Sequence, residues 1–308
     1  MKKTALVVAV LLLAGAVAAQ DMIGPLPAFG RTYTGSTRGF YCQAPADFFV
    51  HGLRVPDESS KGFQYVALMR NPTAPPAFSG TVSLTPDFLE TTGKAPSANI
   101  VPCKVAFKKG EHLIVIGGCA ASAGGASNSY AGLSGGQPAT ILGAATTLYR
   151  GGVQASIATA TAGPYAIWSE VTGPIARVEV YVTDVYLIGD KATPKAGETV
   201  TFAIEGVPAF ANHSYYMASS IGMGPFTIEG RKVWLNADPM FQLSLGGTLP
   251  GIFANYSNLL DASSKGKAAL NIPNLSALVG YGIYTCCSVW DKAGKPQGFS
   301  NPFFFKVQ

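Results

Sequence analysis

One pattern in the sequence could hold a serine nucleophile, but its surroundings argue against hydrolytic chemistry. Residues 132–136, GLSGG, match the G-x-S-x-G pattern, which in hydrolases lifts a serine, here Ser134, on a strained turn between a strand and a helix. The preceding stretch 124–131 lacks the pattern of a buried strand, and Gln137-Pro138 would not open a regular helix. In a segment this rich in Gly and Ser, we expect Ser134 to have no catalytic role.

The histidines also lack the spacing of a metal or catalytic site. His51, His112 and His213 are dispersed, no C-x-x-C pair is present, and no D-x-D-x-D-G loop occurs. By strand alternation His51 shares a face with Phe49 and Leu53, which predicts a partly buried, hydrogen-bonded side chain. We therefore expect no zinc site, no cofactor and no catalytic residue, while a calcium site assembled from distant loops stays open.

Five cysteines leave at least one thiol unpaired. Cys103 and Cys119 flank a predicted hairpin, and in an exported chain we expect them to form a disulfide. Cys42 alternates with apolar neighbours and is expected to be a core thiol. Cys286 and Cys287 are adjacent in a predicted strand, where successive side chains point to opposite faces, so we expect two separate environments.

Residues 283–290 predict a strand whose two faces differ in chemistry. The core-like face consists of Ile283, Thr285, Cys287 and Val289. Tyr284 and Trp290 fall on the other face, where their rings could stack on a sugar or anchor a protein partner if they are exposed. The alternative is that another sheet or the first domain covers them.

Other strands follow from the same period of two. Residues 175–182 predict one strand with Ala176, Val178, Val180 and Val182 inward, and 199–205 and 303–307 repeat the alternation. Arg177 and Glu179 then lie on the solvent face. Together with Arg38 we expect them to form a salt-bridged surface patch, or alternatively a patch that binds a ligand. The turn signals at short intervals favour sandwiches rather than βαβ units.

The N-terminus predicts export. A basic start with Lys2 and Lys3 precedes an apolar stretch at 4–15 and small residues at 16–19, which is the pattern of a secretory signal peptide cleaved after Ala19. The apolar run is shorter than the ~20 residues that a spanning helix needs. We expect a secreted or extracytoplasmic protein with no membrane span in the mature chain.

Composition and length predict an all-β chain with two domains. Only 13% of the residues are charged, against 36 Gly and 21 Pro, which argues against long solvated helices. The net charge of +5 is small and scattered, so no nucleic-acid surface is expected. The Gly-, Pro- and Lys-rich segment 188–197 is typical of an interdomain linker or a sharp turn. After the signal peptide at 1–19 we therefore expect a jelly-roll-like β-sandwich at 20–187 and an immunoglobulin-like or related β-sandwich at 188–308.

A stretch dominated by Gly, Ala and Ser, 117–136, interrupts the predicted strands of the first domain. Such a composition fits either a flexible linker or a long sandwich loop. Because apolar strands resume at Ile141 and Leu148, we expect the loop.

Short motifs are spread over both predicted domains: TRGF at 37–40, APADF at 44–48, GLRVP at 52–56, NSY at 128–130, GPIARVEVY at 173–181, ASS at 218–220, GMGP at 222–225, LPG at 249–251, LNIP at 270–273 and SNPF at 300–303. In these motifs the chain resembles uncharacterised secreted planctomycete proteins with two β-sandwich modules. The resemblance covers nearly the whole mature chain and implies a jelly-roll-like module followed by a second sandwich module. It brings no catalytic residue with it.

Two functions from different classes remain compatible with the sequence. The first is a non-enzymatic exported protein that binds a cell-envelope or extracellular ligand, such as a carbohydrate, or contributes structurally to the cell surface. The second is a secreted, glycosidase-like hydrolase with a site assembled from dispersed carboxylates such as Asp47, Asp57, Glu170 and Glu179.

Overall fold

The protein is all-β, as the sequence predicted. The computed structural model describes residues 22–121, 125–160, 162–245 and 247–308, and the predicted signal peptide lies outside these ranges. Within them, antiparallel sheets pack face to face, and the one α-helix has six residues. The all-β sandwich prediction is therefore confirmed.

The strand bounds are as follows. The first part of the chain contains β1 (Phe29–Gly35), β2 (Arg38–Gln43), β3 (Phe48–Arg54), β4 (Phe63–Asn71), β5 (Val82–Leu84), β6 (Phe88–Glu90), β7 (Val101–Phe107), β8 (His112–Ala120), β9 (Ala126–Ser134), β10 (Gln137–Ile141), β11 (Ala144–Gly152), β12 (Tyr165–Glu170), β13 (Pro174–Ala176) and β14 (Glu179–Thr183). The second part contains β15 (Val185–Gly189), β16 (Thr199–Gly206), β17 (Ser214–Ser220), β18 (Pro225–Ile228), β19 (Arg231–Trp234), α1 (Pro239–Ser244), β20 (Phe253–Ala254), β21 (Ser257–Leu259), β22 (Lys265–Asn271), β23 (Gly282–Trp290), β24 (Pro296–Phe299) and β25 (Phe303–Lys306). Short 3-10 helices span Pro208–Phe210 and Ser276–Leu278.

The first part of the chain packs a large sheet against a small one. The large sheet runs in the order β1, β9, β8, β2, β11, β12 and β5, with β4 and β6 continuing from β8. The small sheet runs in the order β14, β3 and β7. Between them lies a core formed by alternate residues of both, including Phe40 and Val115 from the large sheet and Phe48, Val105 and Val180 from the small one.

The second part of the chain forms another sandwich. One sheet has the order β15, β16, β22 and β20, and the other has the order β21, β17, β23 and β24, with β25 also paired to β23. Phe202 and Ile204 from the first sheet meet Met217, Val289 and Phe305 from the second. The β18–β19 hairpin covers part of the outer face of the second sheet. The strands predicted at 199–205 and 303–307 are thus present with their predicted faces inward.

The predicted strand at 175–182 is split between two sheets. Ala176, Val178 and Val180 are fully buried and Val182 is 1% exposed, so the predicted inward face is correct. Ile175, on the other face by alternation, is buried as well. However, β13 pairs with β9 in the large sheet, whereas β14 pairs with β3 in the small one. The chain crosses the sandwich between them, at residues 177–178, because both ends can bury apolar side chains in the same core.

The loop expected at 117–136 is wrong, because much of this stretch belongs to the buried strands β8 and β9. Small residues are needed there, since a Cβ on Gly118 would lie 2.8 Å from Ala126 Cβ. The buried polar groups of β9 have partners: the Asn128 amide donates to Tyr33 O at 3.0 Å and accepts from Arg38 N at 2.7 Å. A polar, small-residue strand is therefore stable in the interior when its hydrogen bonds are made.

The expected Cys103–Cys119 disulfide is also wrong. Both residues lie in the predicted strands, but β7 pairs with β3 while β8 pairs with β2 and β4, so the two strands do not form a hairpin. The Cys103 thiol contacts Val50 O and the Cys119 thiol contacts Val55 O, each at 3.7 Å. Burial raises the pKa of both thiols to about 12. The turn after β7 leads the chain from one sheet of the sandwich to the other.

The remaining cysteines are free and buried. Cys42 lies in the core between the two sheets of the first part, as expected. Cys287 faces the inner core of the second sandwich, while Cys286 faces the cluster under the β18–β19 hairpin. The predicted separate environments of these two neighbours are confirmed.

The two main cores meet near residue 184. The first includes Val182, and the second begins with Val185 and also takes in Phe49 from β3. The predicted linker at 188–197 overlaps the end of β15, which pairs with β16 through Gly189. The division into domains at residue 188 stays a prediction.

Candidate functional site

The outer face of the β15–β16–β22 sheet forms the floor of an open groove. Register places Tyr186 beside Glu205 and Glu205 beside Lys265 across the three strands. The next row is Ile188, Ala203 and Lys267. Because Val200, Phe202 and Ile204 point into the core, the alternating residues of these strands must face outward. The alternation of the sequence thus creates a flat, mostly polar surface.

Two walls turn this surface into a groove of about 620 Å³. Lys104, from β7 of the first sandwich, forms one wall, and residues of the segment 255–261 form the other. Asn255, Asn258 and Leu259 in that segment are exposed. The volume lies within the range of about 300–1,000 Å³ that is usual for small-molecule sites.

Some of the charges in the groove are already partnered. The Lys104 ammonium lies 2.5 Å from a Glu205 oxygen and 4.9 Å from the centre of the Tyr186 ring. Asp261 accepts backbone N–H bonds from Lys265 at 2.9 Å and Ser263 at 2.7 Å. The N–H of Lys265, above all, holds the pKa of Asp261 below its usual value.

The two lysines of β22 in the groove have no charged partner among the described residues. Within the described ranges, neither Lys265 nor Lys267 has a carboxylate at ion-pair distance from its ammonium. Ile188 and Leu259 are 45% and 60% exposed and add apolar surface. The groove can therefore offer ammonium and amide donors beside apolar patches.

Sequence reasoning missed this groove. The prediction placed Ile188 in a linker and drew no conclusion from the alternating lysines of KGK at 265–267. The alternation was a usable signal for an exposed strand face. The walls carried no signal, because Lys104 and the segment 255–261 are distant in sequence.

Tyr284 and Trp290 lie on the predicted outer face of β23, and both are half-buried. The Tyr284 ring packs on Phe304 with centroids 4.7 Å apart, and Trp290 makes an edge contact with Tyr216 at 6.0 Å. Between them, Cys286 is covered by the hairpin cluster. The two rings therefore belong to separate aromatic pairs, and a binding role for either stays a prediction.

Arg38, Arg177 and Glu179 do not form the expected surface patch. Arg38 is only 6% exposed, so its placement on the solvent face was wrong. Strand β2 is buried on both faces, since Phe40 and Tyr41 belong to different buried clusters on the two sides of the large sheet. Arg177 pairs with Glu58, whereas Glu179 accepts a bidentate pair from Arg54 at 2.6 Å.

The carboxylates considered for a hydrolase are each held by local partners. Asp47 accepts a loop N–H at 2.7 Å, and Asp57 accepts two loop N–H groups at 2.9 and 2.7 Å. Glu170 and Glu179 each pair with an arginine, at 2.9 and 2.6 Å. All four carboxylates are therefore engaged in structural contacts.

The surroundings of His51 differ from those that strand alternation predicted. A β-bulge between Val50 and Gly52 breaks the alternation of β3, so Phe49 and Leu53 enter different cores. The hydrogen bond expected for His51 is not made at Nε2, which is buried without a partner in the described part of the chain.

Among the described residues, no cluster of three or more His, Cys, Asp or Glu is placed to hold a metal ion. No described helix has the length and apolar character to span a membrane.

Comparisons with known proteins give only distant structural likeness. No family model and no curated protein matches the chain. The soluble domain of PmoD from a Methylocystis species matches at a TM-score of 0.24 and 10% identity, over 41% of this chain and 91% of that one. The adhesin InvE of Yersinia pseudotuberculosis matches at 0.22 and 9% identity, over 79% of this chain and 49% of the adhesin. These scores are too low to transfer a function.

Proposed function

We propose that this protein is an exported, non-enzymatic β-sandwich protein that binds an extracellular or cell-envelope carbohydrate in the groove. The observation that carries the proposal is the groove itself, an open sheet face of about 620 Å³ between two walls. Export is expected from the signal-peptide pattern of the N-terminus.

The chemistry of the groove supports a sugar ligand. Sugars present many hydroxyl groups together with apolar C–H faces, and the groove combines both complements. Asn255, Asn258 and Lys267 supply exposed polar groups, while Ile188 and Leu259 supply exposed apolar surface. Lining of this mixed kind, with a few polar groups fixing orientation, is usual in ligand sites.

The experiment is a glycan and cell-envelope binding screen of the chain from Gln20 onward, followed by titration of the best glycan. We expect Asn258→Ala combined with Lys267→Gln to weaken binding by about tenfold, which is about 1.4 kcal/mol. Both side chains are exposed, so the melting temperature should stay unchanged.

Lys94→Gln is the matched control, since Lys94 lies outside the groove. Equal affinity of the double variant and the control would exclude the groove as the binding site. Release of shortened sugars from a bound glycan would instead support the hydrolase alternative.

A further inference from the structure

A second set of side chains, which we call the arginine–aromatic cluster, lies on the large sheet of the first sandwich. It consists of Arg31, Tyr33, Arg38, Tyr130, Arg150 and Trp168. These residues come from strands β1, β2, β9, β11 and β12. β1 pairs with β9, and β11 pairs with β2 and β12, while β8 lies between β9 and β2 in the sheet. The groove shares no residue with this cluster.

Cations and aromatic rings alternate through the cluster. Trp168 contacts two guanidinium groups, Arg38 at 4.9 Å and Arg150 at 5.5 Å from its ring centre. Arg38 also lies 5.8 Å from the Tyr33 ring, and Arg150 lies 5.5 Å from the Tyr130 ring. The two tyrosine rings stack on each other at 5.8 Å. The negative faces of the rings thus partly stabilise the two cations.

The positive charge of the cluster is not balanced. Arg38 is only 6% exposed, and among the described residues its guanidinium donates to neutral oxygens alone, including Gln154 Oε1 at 3.2 Å and Val153 O. In the same part of the chain, Arg150 is the one arginine of the cluster with a carboxylate at ion-pair distance, Glu170 at 2.9 Å. A buried charge without a counter-charge is costly, so the cluster attracts an anion.

Several donors in the cluster have no acceptor. Nε of Arg38, Nε of Arg150 and Nε1 of Trp168 are buried and make no hydrogen bond within the described ranges. Native structures leave few such groups. Their concentration around one unbalanced charge distinguishes the cluster from an ordinary surface ion pair.

The backbone leaves space for the side chains of Arg38 and Arg150. A Cβ on Gly152 would lie 2.7 Å from Arg38 Cδ, and a Cβ on Gly173 would overlap the Arg150 guanidinium. Glycine at these two positions therefore allows the guanidinium groups to pack where they do. The cations are held in place by the fold rather than projecting freely into solvent.

One side of the cluster is open to solvent. Arg31 is exposed, Tyr33 is 40% exposed, and the Arg150 side chain retains 18% of its surface. Phe78, 59% exposed, packs edge-on against Trp168 at 5.4 Å and extends the aromatic surface. A ligand can reach cations and ring faces together on this side.

We propose that the arginine–aromatic cluster binds the carboxylate groups of an acidic extracellular polysaccharide. A carboxylate matches the planar fork of a guanidinium, and Arg31 and Arg150 supply such forks at the open side. Glu170 is the resident counter-ion with which that carboxylate competes for Arg150. The exposed rings of Tyr33 and Phe78 offer stacking surfaces to the sugar. The site is independent of the groove, so either can fail without the other.

The test is calorimetric titration of the chain from Gln20 onward with polygalacturonate at low salt. We expect Arg31→Gln to weaken binding by about tenfold, and rising salt to weaken the remaining binding. Arg31 is exposed, so the variant should fold. Arg70→Gln removes the same charge from a pair with Asp87 elsewhere on the surface and should bind like the original protein.

Three outcomes would overturn the proposal. The first is an equal loss of affinity in Arg31→Gln and Arg70→Gln, which would show that only net charge matters. The second is binding of another polymer as tight as that of polygalacturonate. Equal binding of neutral dextran would show that no acid is required, and equal binding of poly-glutamate would show that no sugar is required. The third is loss of polygalacturonate binding in Lys265→Gln/Lys267→Gln but not in Arg31→Gln, which would place the ligand in the groove.

Discussion

At the scale of single residues, His51 is the side chain whose surroundings most alter its chemistry. Its Nε2 is buried without a partner, and it borders a cavity of about 20 Å³ at the contact of the two sandwiches. Arg231 and Lys232 line the same cavity, and no carboxylate of the described residues does. The nearby Asp184 carboxylate is already paired with Arg231 at 2.6 Å. Burial lowers the pKa of His51 to about 4 from an ordinary value of 6.5.

This shift predicts a pH-dependent stability. Between about pH 6.5 and 4 the unfolded chain binds a proton at His51 that the folded chain does not. The free energy of unfolding therefore falls as the pH falls through this window, by up to about 3 kcal/mol from this residue. Urea unfolding of the original protein and of His51→Gln at pH 7 and pH 4 measures the contribution.

The variant should lose less stability than the original protein between the two pH values, because Gln does not titrate. Carboxylates contribute equally to both proteins and cancel in the comparison. Parallel pH profiles of the two proteins would instead show that His51 has the same pKa in the folded and the unfolded chain.

At the scale of elements, close strand packing depends on glycine in β2. Gly39 lies opposite Ile116 of β8, and a Cβ there would overlap the carbonyl oxygen of Val115. A backbone atom of a central strand cannot move aside as the end of a flexible side chain can. β2 therefore tolerates no side chain at this position.

We expect Gly39→Ala to lower the free energy of unfolding by about 3 kcal/mol or more, through overpacking. Gly251→Ala is the control, because a Cβ at Gly251 meets no atom within 4 Å. Chemical denaturation followed by circular dichroism measures both. Similar midpoints for the two variants would mean that β2 and β8 can separate at little cost.

At the scale of the whole molecule, Asp184 connects the two sandwiches. It lies between β14 of the first and β15 of the second, and its carboxylate receives two bonds from Arg231 at 2.6 and 3.0 Å. It also accepts Phe299 N–H at 3.0 Å. This partly buried pair holds the start of the second sandwich to the β18–β19 hairpin.

Asp184→Asn should lower the free energy of unfolding by about 2 kcal/mol, because it leaves the Arg231 cation without its counter-charge. The control Glu198→Gln removes an exposed pair with Lys191, both side chains being about 40% exposed, and should change nothing measurable. Thermal unfolding by calorimetry compares them. An Asp184→Asn protein as stable as the control would show that the cores alone hold the junction.

The sequence predicted which segments form strands better than it predicted which strands pair with each other. The period of two correctly assigned the inward residues of β16 and β23, because alternation is a local property of a strand. It also placed strands at both Cys103 and Cys119. The disulfide failed because strand pairing is not local: the turn between β7 and β8 joins two sheets instead of two neighbours.

By itself, the sequence determined the all-β class and the faces of most strands, because both depend on short-range patterning of apolar residues. Only the tertiary structure decided which charges are buried and which side chains meet. Arg38 has the type and setting of a surface residue in the sequence, yet the fold buries it beside the Trp168 ring. The groove likewise arises from Lys104 and the segment 255–261, which only the packing of separate sheets brings together.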